Sequence, residues 1–224
     1  MNNILAFCMD SLRYDMFMQC NAPTLRGLTE YKKVYSRAGT TIPSLFSVFI
    51  NLPWYEGGGE KLVPWVKSWG WVPLDLQEKG YQTALVTTNI LLKHYQPIFK
   101  RGFNRYIVGN IAKGIPWIVE TTKKLVNELK APWFIFILTM ETHNPYIIDR
   151  TAIGTRDVRN QITAVEYIDP WLKKLLNHVK GTNSEIIVFS DHGDLDLKME
   201  GDYGHGHGTF HPKLFEIPLG RATI

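Results

Sequence analysis

The run Ser190-Asp191-His192-Gly193-Asp194 directly follows four apolar residues, Ile186-Ile187-Val188-Phe189. A carboxylate and an imidazole that leave a strand end together can both bind one cation, and the glycine lets the chain turn sharply away from them. The plainer alternative is a solvated turn. Asp10 stands in the same relation to the apolar run Ile4–Met9, where an aspartate serves equally as a metal ligand or a helix cap. Asp15 reads as structural, a cap or a partner of Arg13. In Gly39-Thr40-Thr41-Ile42-Pro43-Ser44 a hydroxyl lies just before a helix start. The field of that helix terminus, together with a metal, lowers the pKa of such a hydroxyl and stabilises a bound phosphate or sulfate. An ordinary N-cap has the same pattern. The fourth constellation is Gly204-His205-Gly206-His207-Gly208-Thr209-Phe210-His211. Five of the seven histidines are His143, His192, His205, His207 and His211, a clustering unusual in a solvated loop, although a flexible, weakly metal-binding loop has the same composition. His94 and His178 fall outside any cluster and read as structural or surface residues.

These residues need a frame that brings them together. Short β-rich runs alternate with helical segments along the chain. Strands are predicted at Ile4–Met9, Tyr81–Thr87, Trp133–Thr139 and Glu185–Ser190. Helices are predicted at Leu25–Tyr31, Ser44–Ile50 (opening after Pro43), Leu62–Lys79 (stopping at Gly80), Ile115–Leu129 and Arg159–Val179, with Pro170 as a kink site in the last. Strands apolar on both faces and separated by helices indicate an α/β fold with a mostly parallel central sheet covered on both faces. Ligands bind beyond the carboxyl ends of such strands. Asp10, the Glu141 and His143 pair, and Asp191 with His192 stand at three such ends.

Composition sets bounds. The chain has 224 residues, which suits one large domain, and 45% hydrophobic residues, enough for a sizeable core. A net charge of +4 without long basic runs argues against nucleic-acid binding. Two cysteines, Cys8 and Cys20, make no disulfide framework or C-x-x-C motif, and Cys8 reads as a buried small hydrophobe. The first residues resemble no signal peptide, and the longest apolar stretch, near Trp133–Met140, is too short to span a bilayer. A cytoplasmic protein is therefore expected. Its expected partner is a small anionic ester, with no nucleic acid and no membrane, and a homo-oligomer is left open.

The order of motifs resembles the sulfatase-like branch of the alkaline phosphatase superfamily. Asn3-Ile4-Leu5 through Asp10-Ser11-Leu12-Arg13-Tyr14-Asp15 is similar to that family's opening strand and first metal ligand, and Ala22-Pro23-Thr24-Leu25 to its P-x-L segment. Thr41-Ile42-Pro43-Ser44 resembles the nucleophile motif, Gly80-Tyr81-Gln82-Thr83 the GY-x-T passage, and Arg101-Gly102-Phe103-Asn104-Arg105-Tyr106 the GF-D-x-Y segment. His143-Asn144-Pro145-Tyr146 resembles H-x-P-Y, and Glu166-Tyr167-Ile168-Asp169 the helix before the metal strand. Phe189-Ser190-Asp191-His192-Gly193, Gly204-His205-Gly206-His207 and Glu216-Ile217-Pro218-Leu219 resemble the second metal motif, the final loop and the final strand. The resemblance implies an alkaline phosphatase-like catalytic domain over residues 1–224. It makes Asp10, Asp191 and His192 metal ligands and Thr41 the nucleophile and a further ligand. His143, His205 and His207 become catalytic candidates, and His143, His207 and His211 substrate-binding ones. The ligand types suit Zn²⁺ or Mn²⁺, with Mg²⁺ or Ca²⁺ and a second ion left open.

Two departures matter. The family's sulfatases use Cys or Ser in a C/S-x-P-S-R motif, oxidised to formylglycine, whereas here the position is Thr41 and Leu45 replaces the Arg. A threonine is no formylglycine precursor, so the resemblance points to phosphate ester hydrolysis, of a diester or a monoester. Sulfate-ester hydrolysis without formylglycine and a non-catalytic binding module are the rival expectations. Relatives also continue into a C-terminal subdomain that helps form the pocket, whereas this sequence stops at Ile224.

Overall fold

A computed structural model describes residues 1–50, 70–206 and 210–224. Nine strands are described: β1 Asn3–Met9, β2 Lys32–Tyr35, β3 Gln82–Thr87, β4 Arg105–Val108, β5 Trp133–Thr139, β6 Ile147–Ile148, β7 Thr151–Ala152, β8 Ser184–Ser190 and β9 Glu216–Thr223. The described helices are α1 Tyr14–Phe17, α2 Pro23–Leu28, α3 Thr41–Ile50, α4 Val72–Glu78, α5 Leu91–His94, α6 Gln96–Phe99, α7 Gly114–Glu128, α8 Asn160–Val179 and α9 Leu197–Glu200. Seven strands form one sheet in the order β2-β9-β8-β1-β5-β3-β4. From β8 to β4 neighbouring strands run parallel, while β9 pairs antiparallel with both β8 and β2. The expected mostly parallel α/β sheet is present.

Side-chain alternation along the strands makes two cores. Leu5, Phe7 and Met9 of β1 pack with α1, α2, α7 and α8 on one face, through residues such as Phe17, Leu25, Ile118 and Leu172. Ala6 and Cys8 face the other way, toward Phe46 and Phe49 of α3, Trp71 before α4, and Phe99 of α6. Phe49 lies at the centre of that second core, its ring 4.9 Å from Phe136, 5.1 Å from Trp71 and 5.9 Å from Phe103. Both cysteines are buried and unpaired. None of the described helices is long and apolar enough to cross a membrane.

Several boundaries differ from the sequence expectations. Helix α3 starts at Thr41, not after Pro43, because the Ser44 N–H already bonds the Thr40 carbonyl at 3.1 Å. Proline lacks an N–H, but the first helical turn does not need it. The helix expected to reach Tyr31 ends at Leu28, where Thr29 turns extended and leads into β2. Helix α4 covers the end of the expected Leu62–Lys79 helix, and residues 62–69 lie outside the described residues. Helix α8 runs through Pro170, and the Asp169 carboxylate beside it accepts the Thr24 and Leu25 N–H groups at 3.0 and 2.8 Å, capping α2 across the interface.

Candidate metal centre

Strands β1 and β8 lie side by side in register, Met9 opposite Ser190. Their next residues, Asp10 and Asp191, therefore emerge together at the carboxyl edge of the sheet. Asp10 carries the β1–β5 ladder one bond further, through its N–H to the Thr139 carbonyl at 3.1 Å. Ser11 then adopts a left-handed conformation, φ 63°. Its N–H bonds Asp191 Oδ1 at 3.0 Å and its hydroxyl bonds Asp10 Oδ1 at 2.9 Å. A non-glycine residue held there marks a backbone fixed by its surroundings. Those surroundings are buried polar groups. The Ser190 hydroxyl accepts the Leu12 N–H at 2.9 Å and the Thr142 hydroxyl bonds the Asp10 carbonyl at 2.7 Å. Gln161 of α8 donates to the Ser11 carbonyl at 2.7 Å and to the Thr142 carbonyl at 3.2 Å.

His192 enters from β8 with its orientation fixed. Its Nδ1 lies 2.7 Å from the Gly193 carbonyl, which can only accept, so Nδ1 carries the proton and Nε2 presents a lone pair to Asp10 and Asp191. Gly193 has no room for a side chain, since a Cβ would collide with the Lys213 carbonyl. Its N–H bonds the Leu214 carbonyl at 2.8 Å. Thr41, the first residue of α3, completes the cluster. Its hydroxyl oxygen is 3.2 Å from His192 Nε2 and 3.4 Å from each Asp10 oxygen. The Ser44 hydroxyl, one turn on, bonds the Asp191 carbonyl and ties α3 to the end of β8.

Asp10, Asp191 and His192 bring ligand atoms within 4.8 Å of one another, all buried. Two adjacent buried carboxylates repel. Burial, then the charge of Asp10, pushes the Asp191 carboxyl well above its ordinary range. Burial acts on Asp10 too, but the imidazoles of His143, His192 and His205 outweigh it and hold that carboxyl below its ordinary value. Burial, with His205, lowers His192 to about 4, which keeps its ring neutral and able to ligate. Asp191 Oδ2 is buried without a hydrogen-bond partner. A buried lone oxygen beside a second carboxylate and a neutral imidazole nitrogen is a donor set that suits a divalent cation. The residues present fit a metal.

Three predicted histidines meet here. The His205 ring lies 4.4 Å from that of His192 and 5.2 Å from that of His143. Asp194 orients His205, with Oδ1 3.2 Å from Nδ1, and this contact outweighs burial and raises the His205 pKa. His211 sits outside the ring cluster and caps the turn Pro212–Leu214, its Nδ1 3.3 Å from the Lys213 N–H. His207 lies outside the described residues. Glu141 also ends a strand, but its carboxylate turns to the N-terminus of α7, accepting the Ile115 N–H and, at 3.1 Å, the Met140 N–H. Burial pushes it up to about 7. It borders a separate cavity of about 370 Å³ that also includes Lys113, Arg150, Tyr167 and Trp171.

Sequence reasoning missed Ser11, Asn89, Thr142, Gln161, Ser190 and Asp194 as parts of the site. Asn89 and Asp194 each follow a strand at the carboxyl edge, the position that singled out Asp10. Gln161, inside a helix and far along the chain, carried no such signal.

A buried Asp–Asp–His–Thr cluster at the carboxyl edge of a mostly parallel sheet defines an α/β protein with a candidate metal centre. The chain belongs to the sulfatase family, whose model matches residues 2–219. Solved structures of the alkaline phosphatase superfamily share the fold. A superfamily protein from Vibrio parahaemolyticus matches at 18% identity and TM-score 0.72, over 99% of this chain and 60% of that one. The C-terminal periplasmic domain of EcEptC from Escherichia coli, in complex with Zn, matches at 15% identity and TM-score 0.76, over 99% and 72%. The phosphonate monoester hydrolase of Agrobacterium radiobacter matches at 13% identity and TM-score 0.72, over 99% and 68%. The chain thus spans 60% of the length of the Vibrio protein. No curated protein sequence matches it.

Proposed function

We propose that residues 1–224 form one catalytic domain of a metal-dependent ester hydrolase that acts on phosphate esters, with Thr41 as nucleophile. The observation that carries the proposal is the place of the Thr41 hydroxyl. It stands at the N-terminus of α3, within 3.4 Å of both Asp10 oxygens and of His192 Nε2. Asp10, Asp191 and His192 would hold the cation, with Thr41 as a further ligand. Mixed carboxylate and imidazole donors favour Zn²⁺ or Mn²⁺. When bound, the ion supplies charge stabilisation to the ester and lowers the pKa of the hydroxyl.

The chain's own residues carry the remaining chemistry. Thr41 gives its proton to solvent and its oxygen bonds to phosphorus while the bond from phosphorus to the leaving oxygen breaks. His143 or His205, the imidazoles facing Asp10, gives that oxygen a proton. Water then attacks phosphorus and gives a proton back to that imidazole, while the bond to Thr41 breaks and its oxygen takes a proton from solvent. The field at the α3 N-terminus favours the anionic group throughout.

The test is turnover of an aryl phosphate, a bis-aryl phosphate and an aryl sulfate by protein loaded with Zn²⁺ or Mn²⁺. The proposal expects phosphate ester cleavage that Thr41→Ala lowers by at least about 10³-fold, a loss of about 4 kcal/mol in transition-state stabilisation. Full activity in Thr41→Ala would remove the nucleophile assignment. Cleavage of the sulfate alone would favour the sulfatase reading, and no turnover of any ester would favour a binding module.

A further inference from the structure

Beyond the four residues of the centre, one buried side chain reaches the first ligand from a third strand. Asn89 follows β3, two strands away from β1 in the sheet, and is buried. Its Nδ2 donates to Asp10 Oδ2 at 2.8 Å. Two other contacts fix the residue, one at its backbone and one at its side-chain amide. The Thr87 hydroxyl oxygen accepts the Asn89 N–H at 2.9 Å, and Asn89 Oδ1 accepts the Leu91 N–H at 2.9 Å. A backbone N–H can only donate, so the amide oxygen must face Leu91 and the NH₂ must face Asp10.

We infer that Asn89 is a positioning residue for Asp10, setting the rotamer with which that carboxylate meets the metal. The inference rests on the metal-centre reading above. Asp10 has three neighbours that can hold it. Ser11 bonds Oδ1 at 2.9 Å, whereas Thr41 is 3.4 Å from either oxygen. Asn89 thus gives Oδ2 its one short hydrogen bond among the described contacts. A neutral donor suits the place, because it holds the carboxylate without competing as a cation for the ion. Partners of this kind orient metal ligands, and their loss costs about 10–100-fold in metal affinity. Asn89 also links the centre to β3, on the far side of β5 from the strands that bear the ligands.

Calorimetric titration of Zn²⁺ and of Mn²⁺ into metal-free protein tests this in wild type, Asn89→Ser, Asn89→Ala and Asp10→Asn. Serine keeps an oxygen for the Leu91 N–H but has no donor that reaches Asp10; alanine removes both. The expected result is affinity about 10–100-fold weaker in both Asn89 variants. The melting temperature of metal-free protein should fall for Asn89→Ala and stay near wild type for Asn89→Ser. Asn89→Thr replaces Asn89→Ser if near-ultraviolet circular dichroism shows the latter unfolded. Wild-type affinity in the serine or threonine variant overturns the inference and assigns Asn89 to capping alone. A wild type that binds neither ion, or binds as well with Asp10→Asn, overturns the metal-centre reading and this inference with it.

Discussion

At the scale of single residues, the centre is built from groups that would be costly to bury alone. Arg13 has no exposed surface, yet its guanidinium meets Asp15 at 2.7 Å and Glu200 at 2.9 Å. Lys213 adds a second cation to Asp15 at 3.1 Å. Burial raises the Asp15 pKa, but Arg13 and Lys213 outweigh it and bring the carboxyl down to about 2. A carboxylate depressed in the folded state stabilises it above the unfolded-state value and loses that contribution as pH falls through the folded one. Asp15→Asn should therefore cost about 1–2 kcal/mol at neutral pH. The difference should close between about pH 4 and pH 2. Urea unfolding of both proteins across that range measures it. An unchanging difference would mean that Asp15 acts through packing instead. The Arg13–Asp15 partnership was legible in the sequence because both residues lie in one short turn. Glu200 was not, since nothing local links it to a residue 187 positions earlier.

At the scale of elements, the site depends on how tightly the loop after β8 folds against the turn before β9. Gly193 is the tightest point. An alanine there must displace either the Lys213 carbonyl or the backbone of His192. Gly193→Ala is expected to destabilise the fold by about 1–3 kcal/mol. It should also weaken metal binding, because His192 orients through the Gly193 carbonyl. Thermal melting and metal titration on the same variant check both effects, and a variant that loses stability with unchanged affinity would detach the turn from the centre. Strands β1, β3, β5 and β8 were readable as apolar runs because parallel strands bury both faces. The edge strands β2 and β4 were not, for β2 opens with Lys32-Lys33 and all but its half-buried Val34 is exposed. Asp191 and His192 stand out as a carboxylate and an imidazole at a strand end, whereas Asn89 holds the same kind of position with a neutral amide, which carries no comparable signal in sequence.

At the scale of the whole molecule, a cation held by Asp10, Asp191 and His192 would tie β1 to β8 and bind only the folded chain. Such a ligand at about 100 times its dissociation constant adds about 2.7 kcal/mol. For a domain of this size that corresponds to a rise of about 5–10 °C in melting temperature. Chelator should remove the rise, and Asp191→Asn should melt in chelator no lower than wild type, having lost one of two buried like charges. A wild type whose melting is indifferent to Zn²⁺, Mn²⁺ and chelator would contradict the cluster's role. The parallel architecture was legible from the alternation of runs, whereas motif resemblance gave only a final strand at Glu216–Leu219, and its antiparallel pairing with β8 and β2 had no signal in the sequence. The Ser11–Asp191 contact spans 180 positions. During synthesis, the β1 side of the candidate cage is made long before the β8 side. No chain cut before β8 can own the centre, however well its earlier elements have collapsed. On the metal-centre reading, capture of a cation would report that β8 has joined β1, and pulse-labelled chains released from the ribosome before Asp191 should pass through a chelating-metal column unretained by this site.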